Sequence, residues 1–413
     1  MLYKREILNA VIQCVDEYAI TLITGARQVG KTTLVSYFEK EKGFTYLSFD
    51  DTDLLAEAKS DPKRFIDSHR PPLILDEVQR VPEIFLEIEA VVNRVKRIEG
   101  SQAANGMYIL TGSQKFNLMK EVSESMSGRV GIVDMPPLSQ REIRGWDGKE
   151  FTIDNEGLLD AAERRELGDE ALYESIVRGF YPARWEIAGK PIKNYYANYV
   201  KTYVERDVSE LIHLRDRQKF ENLLRILASL TGEEYVPDNI AKTLGVDKNT
   251  VSAWVSIAVT GDIVRLLKPY YEDSINKRIV KRNKLFFNDT GLACYLLGID
   301  SPASLKRSTF KGRMVETYIH NEIYKSYLNR GIEPKMFFYR DNNQNEIDLI
   351  LVNDGKLDFI ECKAGKKFGG DAIKGFRQLA NTKFEINGQC VLCTTEDPYR
   401  IASGVFAFPI RCL

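Results

Sequence analysis

A chain of 413 residues has room for two to four domains at roughly 150 residues each. Its 58 Lys and Arg against 59 Asp and Glu exclude a uniformly basic nucleic-acid coat and an acidic tail, and a content of 44% hydrophobic and 10% aromatic residues excludes a mostly disordered polypeptide. No apolar run approaches the ~18 residues that span a bilayer, and acids interrupt the stretch where a signal peptide needs an apolar core, so a cytoplasmic location without membrane partners is expected.

In residues 1–144, short apolar runs at 19–24, 45–49, 72–76 and 107–112 alternate with helical stretches. Such runs, each closed by turn residues, suit parallel strands buried on both faces of an α/β sheet. Gly25, Ala26, Arg27, Gln28, Val29, Gly30, Lys31 and Thr32, followed by Thr33, match G-x-x-x-x-G-K-[ST] between a strand and a helix. The glycines let backbone amides converge on a β-phosphate at the helix N-terminus. Lys31 supplies a cation to the β/γ oxygens and Thr32 an oxygen ligand for Mg²⁺, so ATP and Mg²⁺ are the expected cofactors.

The run at 72–76 ends in Asp76, placed to hold the Mg²⁺ shell, and Glu77, placed to orient an attacking water. The run at 107–112 is followed by Ser113, which either sits between nucleotide and water or belongs to a plain loop. Arg129 is a candidate arginine finger, acting on a γ-phosphate of a neighbouring subunit in a homo-oligomer, or else an exposed arginine.

Residues 145–231 open with a polar, Gly-containing connection and continue as helix, expected as a lid or linker. Residues 232–304 then read as a winged helix: a helix, a turn at Gly245, and a second helix capped by Asp247 with Val251, Trp254, Val255 and Ala258 as its buried stripe. Between two following strand-like runs, Lys277, Arg278, Lys281, Arg282 and Lys284 form a basic wing suited to DNA phosphates, with the second helix suited to the major groove. The competing reading is a winged helix used for protein packing beside a solvated basic strand.

Residues 305–413 hold a second constellation. Asp354-Gly355 is a hairpin turn that pairs 353 with 356 and so sets Asp348 opposite Glu361. That register brings their Cβ atoms to about 4.5–5.5 Å, with Lys363 one diagonal step away. Like charges opposed between apolar strands call for compensation. A second Mg²⁺, or Mn²⁺, would supply it, with Lys363 assisting a water. Glu316, on one helical stripe with Ile319, Ile323 and Tyr327, is a third candidate ligand. The alternative is a metal-free relic, or an edge hairpin with solvated acids. Cys390 and Cys393 lie in an apolar run where positions i and i+3 face opposite ways, so no chelate or redox pair is expected.

GARQVGKT at 25–32, LDEVQRVP at 75–82 and LTGSQ at 110–114 together resemble a group of prokaryotic AAA+-type ATPases. The shorter GRV at 128–130, GFYP at 179–182, YVERDV at 203–208 and NDTGLA at 288–293 extend the resemblance over nearly the whole chain. It implies an α/β P-loop NTPase core with a helical lid and a C-terminal restriction-endonuclease-like core. Glu316, Asp348, Glu361 and Lys363 look like the PD-(D/E)xK nuclease constellation, with Gln378 as a helper and without the PD dipeptide. The expected function is an Mg²⁺-dependent ATPase whose nucleotide state controls DNA binding or cleavage. The alternative is a non-cleaving ATP switch that binds DNA or protein.

Overall fold

The pentapeptide Ile20–Thr24 (β1) is buried along its whole length, as a strand covered on both faces must be. The computed structural model that contains it describes residues 3–112, 128–186, 192–208, 216–271, 282–341, 343–379 and 383–413. The chain divides into two units, Met1–Leu138 with Leu328–Ile332, and Ser139–Tyr327 with Glu333–Leu413.

In the first unit the described strands are β1, Thr45–Ser48 (β2), Leu73–Asp76 (β3), Tyr108–Thr111 (β4) and Val130–Asp134 (β5). They form one parallel sheet in the order β2-β3-β4-β1-β5. Because all run the same way, the C-terminal ends of β1, β3 and β4 meet along one edge. Helices cover the sheet; Ile84–Glu99, for example, buries Ile84, Phe85, Ile88 and Val92 at helical spacing. Each such side chain contributes roughly 1.5–3 kcal/mol by leaving water.

The fifth strand was not among the apolar runs that the sequence singles out, and Gly131 is the reason. A Cβ at that position would stand 2.2 Å from Cys14 Sγ and 2.7 Å from the Tyr18 ring, so the helix Leu8–Glu17 demands a glycine inside the strand.

The second unit begins with helices, among them Asn155–Arg164, Asp169–Arg178, Ile192–Tyr203 and Arg217–Ser229. Two short motifs of the sequence meet here in a buried knot. Asp289 accepts hydrogen bonds from Phe180 N–H (2.6 Å), Tyr196 O–H (2.7 Å) and Leu292 N–H (2.7 Å). Gly179 adopts φ +76°, and a Cβ there would lie 2.0 Å from Tyr196 Oη. GFYP and NDTGLA therefore hold each other in place. YVERDV falls partly on a π-helical turn, Val204–Val208.

Helices Pro237–Leu244 and Lys248–Thr260 follow, joined through Gly245 in the left-handed region, and Asp247 caps the second by accepting Thr250 N–H. Val251, Trp254, Val255 and Ala258 are buried, as the stripe predicts. The described strands of this unit are Glu233–Glu234 (β6), Val264–Pro269 (β7), Lys284–Phe287 (β8), Met336–Arg340 (β9), Glu346–Asn353 (β10), Lys356–Lys363 (β11), Ile386–Cys393 (β12), Tyr399–Ala402 (β13) and Val405–Pro409 (β14). They join in the order β13-β14-β12-β11-β10-β9-β7-β8-β6. Since β7 pairs in parallel with β9, the stretches 232–304 and 305–413 share one sheet instead of closing separately.

The β10–β11 hairpin has the register set by its turn: Asn353 faces Lys356 and Leu349 faces Ile360. Asp354 (φ 49°) and Gly355 (φ 78°) both take positive φ, as a type I′ turn requires. Cys390 and Cys393 are buried thiols on β12. Among the described residues, no helix is long and apolar enough to cross a membrane.

Candidate functional site

The first unit builds its site where β1 ends. Gly25 (φ +132°) and Gly30 (φ 97°) bend the chain into a loop, and Gly30 delivers it to the N-terminus of the helix Lys31–Lys42. A Cβ on Gly25 would lie 2.3 Å from Met135 O, so only glycine fits against the chain beyond β5. Ala26 and Val29 are buried, Arg27 half-buried, and Gln28, Thr32 and Thr33 exposed. Lys31 Nζ donates to Gly25 O (2.8 Å) and Ala26 O (2.9 Å), a position from which it can turn to a phosphate. Buried Arg5 donates to Val29 O (2.7 Å) and Pro136 O (2.7 Å), fastening the loop from behind.

Asp76 is the hub of the site. Its Oδ2 accepts from Thr32 Oγ1 (2.9 Å) and Tyr46 Oη (2.7 Å), and its Oδ1 accepts from Thr111 Oγ1 and from Glu77 N–H (3.0 Å). Burial, and then the Asp76 carboxylate, push the Tyr46 phenol well up, so it stays a donor. Glu77 takes φ 54°, uncommon for a residue with a side chain, and its carboxylate accepts from Gln79 Nε2. The arrangement offers amide donors at a helix N-terminus, a lysine ammonium beside the loop, a hydroxyl beside a carboxylate, and a second carboxylate held apart. These groups fit a nucleotide triphosphate with Mg²⁺.

The structure brings the loop, Asp76 and Glu77 together, and adds Tyr46, Thr111, Gln79 and Arg5, which sequence reasoning missed. Ser113 lies outside the described residues. Arg129 precedes β5 at the level of Ile20, the sheet edge opposite the loop, where it pairs with Glu89 (3.0 Å) and donates to Asn93 Oδ1 (2.9 Å). A parallel strand of five residues separates it from the loop of its own chain, so the finger reading concerns a neighbouring subunit's nucleotide alone.

The second unit holds a cluster of charges. Glu316 from the helix Lys311–Leu328, Glu346 and Asp348 from β10, and Lys284 from β8 converge. Lys284 Nζ lies 3.2 Å from Glu316 Oε1 and 4.0 Å from Asp348 Oδ1, and pairs with Glu346. From the other side Lys363 Nζ pairs with Glu361 and lies 3.9 Å from Asp348 Oδ2, which also accepts Cys362 N–H at 2.8 Å. Buried Glu361 keeps one oxygen, Oε2, without a hydrogen-bond partner. Burial, reinforced by Asp348, pushes the Glu361 carboxyl well up, and burial pushes Glu316 up to about 7 against the pull of Lys284. Burial alone would lower Lys284, but Glu316, Asp348 and Glu346 outweigh it and keep the ammonium charged.

Two expectations change here. Lys284 does not face solvent on a basic wing; it is 3% exposed, because β8 is buried throughout. Among the described residues, no three His, Cys, Asp or Glu side chains are arranged to hold a metal ion, so Glu316, Asp348 and Glu361 do not form the expected metal centre. Of the other basic residues, Arg282 is exposed and pairs with Glu234 at 3.8 Å, while Lys277, Arg278 and Lys281 lie outside the described residues. Gln378 is exposed at the end of a short helix, Lys374–Gln378.

A glycine-rich loop at a helix N-terminus, facing a strand-end carboxylate across an intervening strand, defines a P-loop NTPase core. Residues 17–144 match the family model described as an AAA domain. Residues 169–303 and 311–413 match two domains of unknown function, DUF8612 and DUF4143. An uncharacterized protein of Mycobacterium tuberculosis is 23% identical over 365 residues, which cover 88% of this chain and 74% of that one. An uncharacterized protein of Methanocaldococcus jannaschii is 24% identical over 353 residues, covering 82% and 73%. Among solved structures, the Walker-type ATPase of Pyrococcus abyssi is similar with a TM-score of 0.43 and 15% identity, over 70% of this chain and 94% of that one. AMPPCP-bound DnaA from Aquifex aeolicus is similar with a TM-score of 0.28 and 15% identity, over 60% and 84%. None of these matches names a nuclease.

Proposed function

We propose that this chain binds Mg²⁺-ATP at residues 25–33, hydrolyses it, and uses the nucleotide state to control what residues 139–413 bind. The observation that carries this reading is the Asp76 hub, which ties Thr32 of the loop to Thr111 of β4 while Glu77 stands beside it in a left-handed conformation. Mg²⁺ supplies charge neutralisation at the transferred phosphoryl group. Lys31 exchanges the carbonyls of Gly25 and Ala26 for phosphate oxygens. Thr32 and Asp76 provide oxygens for the ion, and Glu77, restrained by Gln79, orients the attacking water. Lys31→Ala should abolish binding of a fluorescent ATP analogue, and Glu77→Gln should retain bound ATP unhydrolysed. Turnover at the wild-type rate by both variants would refute the assignment.

For the second unit, the helix pair at 237–260 and the basic residues Lys277, Arg278, Lys281 and Arg282 are read as a winged helix that contacts DNA. Exposed Lys248 and Arg282 support it. Reversing Arg278 and Lys281 to Glu should weaken duplex binding and lower its salt slope by roughly one for each phosphate no longer neutralised. An unchanged slope would assign the module to protein packing. The position of Lys284 favours a non-cleaving switch, in which the nuclease-like region serves as scaffold, over DNA cutting.

A further inference from the structure

We infer that Lys284 is the resident cation of the buried carboxylate cluster, and that its ammonium keeps divalent metal out of the Glu316–Asp348–Glu361 site. The inference deepens the non-cleaving reading above, rests on it, and names the residue responsible.

The geometry leaves a metal ion little to bind. Asp348 is the carboxylate between the other two, and both its oxygens are engaged: Oδ1 faces Lys284, while Oδ2 takes Cys362 N–H and faces Lys363. Glu316 Oε1 is held by Lys284, and Glu361 Oε1 by Lys363. Glu361 Oε2 remains a buried acceptor without a hydrogen-bond partner. To reach both oxygens of Asp348, a metal ion would have to stand where Lys284 and Lys363 already stand.

Nor is Lys284 placed to step aside. Its side chain is 4% exposed, it lies over the Phe338 ring at 5.5 Å, and it starts a strand buried at every position. Lys363 is different: its side chain is 32% exposed and arrives from the solvent side. The two ammoniums therefore have separate parts. Lys363 pairs with Glu361 at the more exposed side, and Lys284 fills the space between Glu316, Glu346 and Asp348, where an added divalent ion would stand against a positive charge in a poorly screened interior.

The test is Mn²⁺ binding by the full chain, read from the loss of the free-ion electron paramagnetic resonance signal. Every protein carries Asp76→Asn, which removes the metal-binding carboxylate of the ATPase site, and no nucleotide is added. The parent should bind no Mn²⁺ at the cluster. Lys284→Met should bind one ion per chain at least tenfold more tightly than the parent, and adding Asp348→Asn should abolish that gain. If Lys284→Met does not fold by circular dichroism, Lys284→Gln replaces it, keeping N–H donors for Glu316 and Glu346 without the charge. The inference is overturned if the parent binds an ion that Asp348→Asn removes, or if a folded Lys284 variant gains none. The latter result leaves the non-cleaving reading standing. Metal-dependent DNA cutting by the wild-type chain, lost in Asp348→Ala, would overturn both.

Discussion

Replacing Tyr46 with Phe deletes one hydroxyl and tests whether Asp76 is a hub. The hydroxyl lies 2.7 Å from Oδ2, and a hydrogen bond to a charged group nets roughly 1.5–3 kcal/mol. Oδ2 keeps Thr32, which is exposed, so water can reach the vacated position and the loss falls to about 1–1.5 kcal/mol. For a unit of this size that corresponds to a melting shift of about 3–5 °C. Thr111→Val is the contrast. Thr111 is fully buried, no water replaces its hydroxyl, and the expected loss is about 2–3 kcal/mol. Both variants leave Lys31 and the loop amides intact, so the KM for ATP should change little while kcat falls about three- to tenfold, or up to ~1.4 kcal/mol in the barrier. Thermal melting of the nucleotide-free chain and steady-state phosphate release measure the two effects. Melting within about 1 °C of wild type in both variants, with unchanged kcat, would refute the hub.

Gly25→Ala places a methyl group 2.3 Å from a backbone oxygen at φ +132°, so the loop itself must move. ATP affinity should drop at least about tenfold, and titration with a fluorescent analogue giving unchanged affinity would contradict the geometry. His320 is fully buried, its ring stacked 4.2 Å from that of Phe286. Burial first, then Arg265 and Lys284, push its imidazole well below 6.5. Its contribution to stability is therefore complete above pH 6.5 and is lost as pH falls from there. His320→Phe should flatten the acid-side decline in the second unit's stability, followed by denaturation between about pH 7.5 and 5.5. Identical pH slopes in both proteins would rule this out.

What the sequence disclosed was local. The loop is nine consecutive residues between a strand and a helix, and Asp76 and Glu77 end the apolar run they follow. The β10–β11 register was equally legible, because an Asp-Gly turn leaves two flanking strands one way to pair. Tyr46 and Thr111 were not legible: strand order, which no short stretch encodes, brings β2 and β4 to either side of Asp76. The place of Arg129 was not legible for the same reason, since its distance from the loop depends on which end of β5 it adjoins. Lys284 was grouped with its basic neighbours by sequence spacing. The cue to the contrary was the Leu-Phe-Phe that follows it, a run with no solvent-facing position to spare.

The pairing of β7 with β9 has a mechanical consequence. That seam is short, with Lys268 opposite Phe337, Pro269 opposite Phe338, and a further bond from Tyr270 N–H to Phe338 O at 2.7 Å. Lys284 rides on β8, which is bonded to β7 and not to the carboxylate hairpin. The attraction between Lys284 and the hairpin acids thus works as a clasp across the seam. Parting β7 from β9 would therefore also have to separate Lys284 from Glu346 and Asp348 of the hairpin.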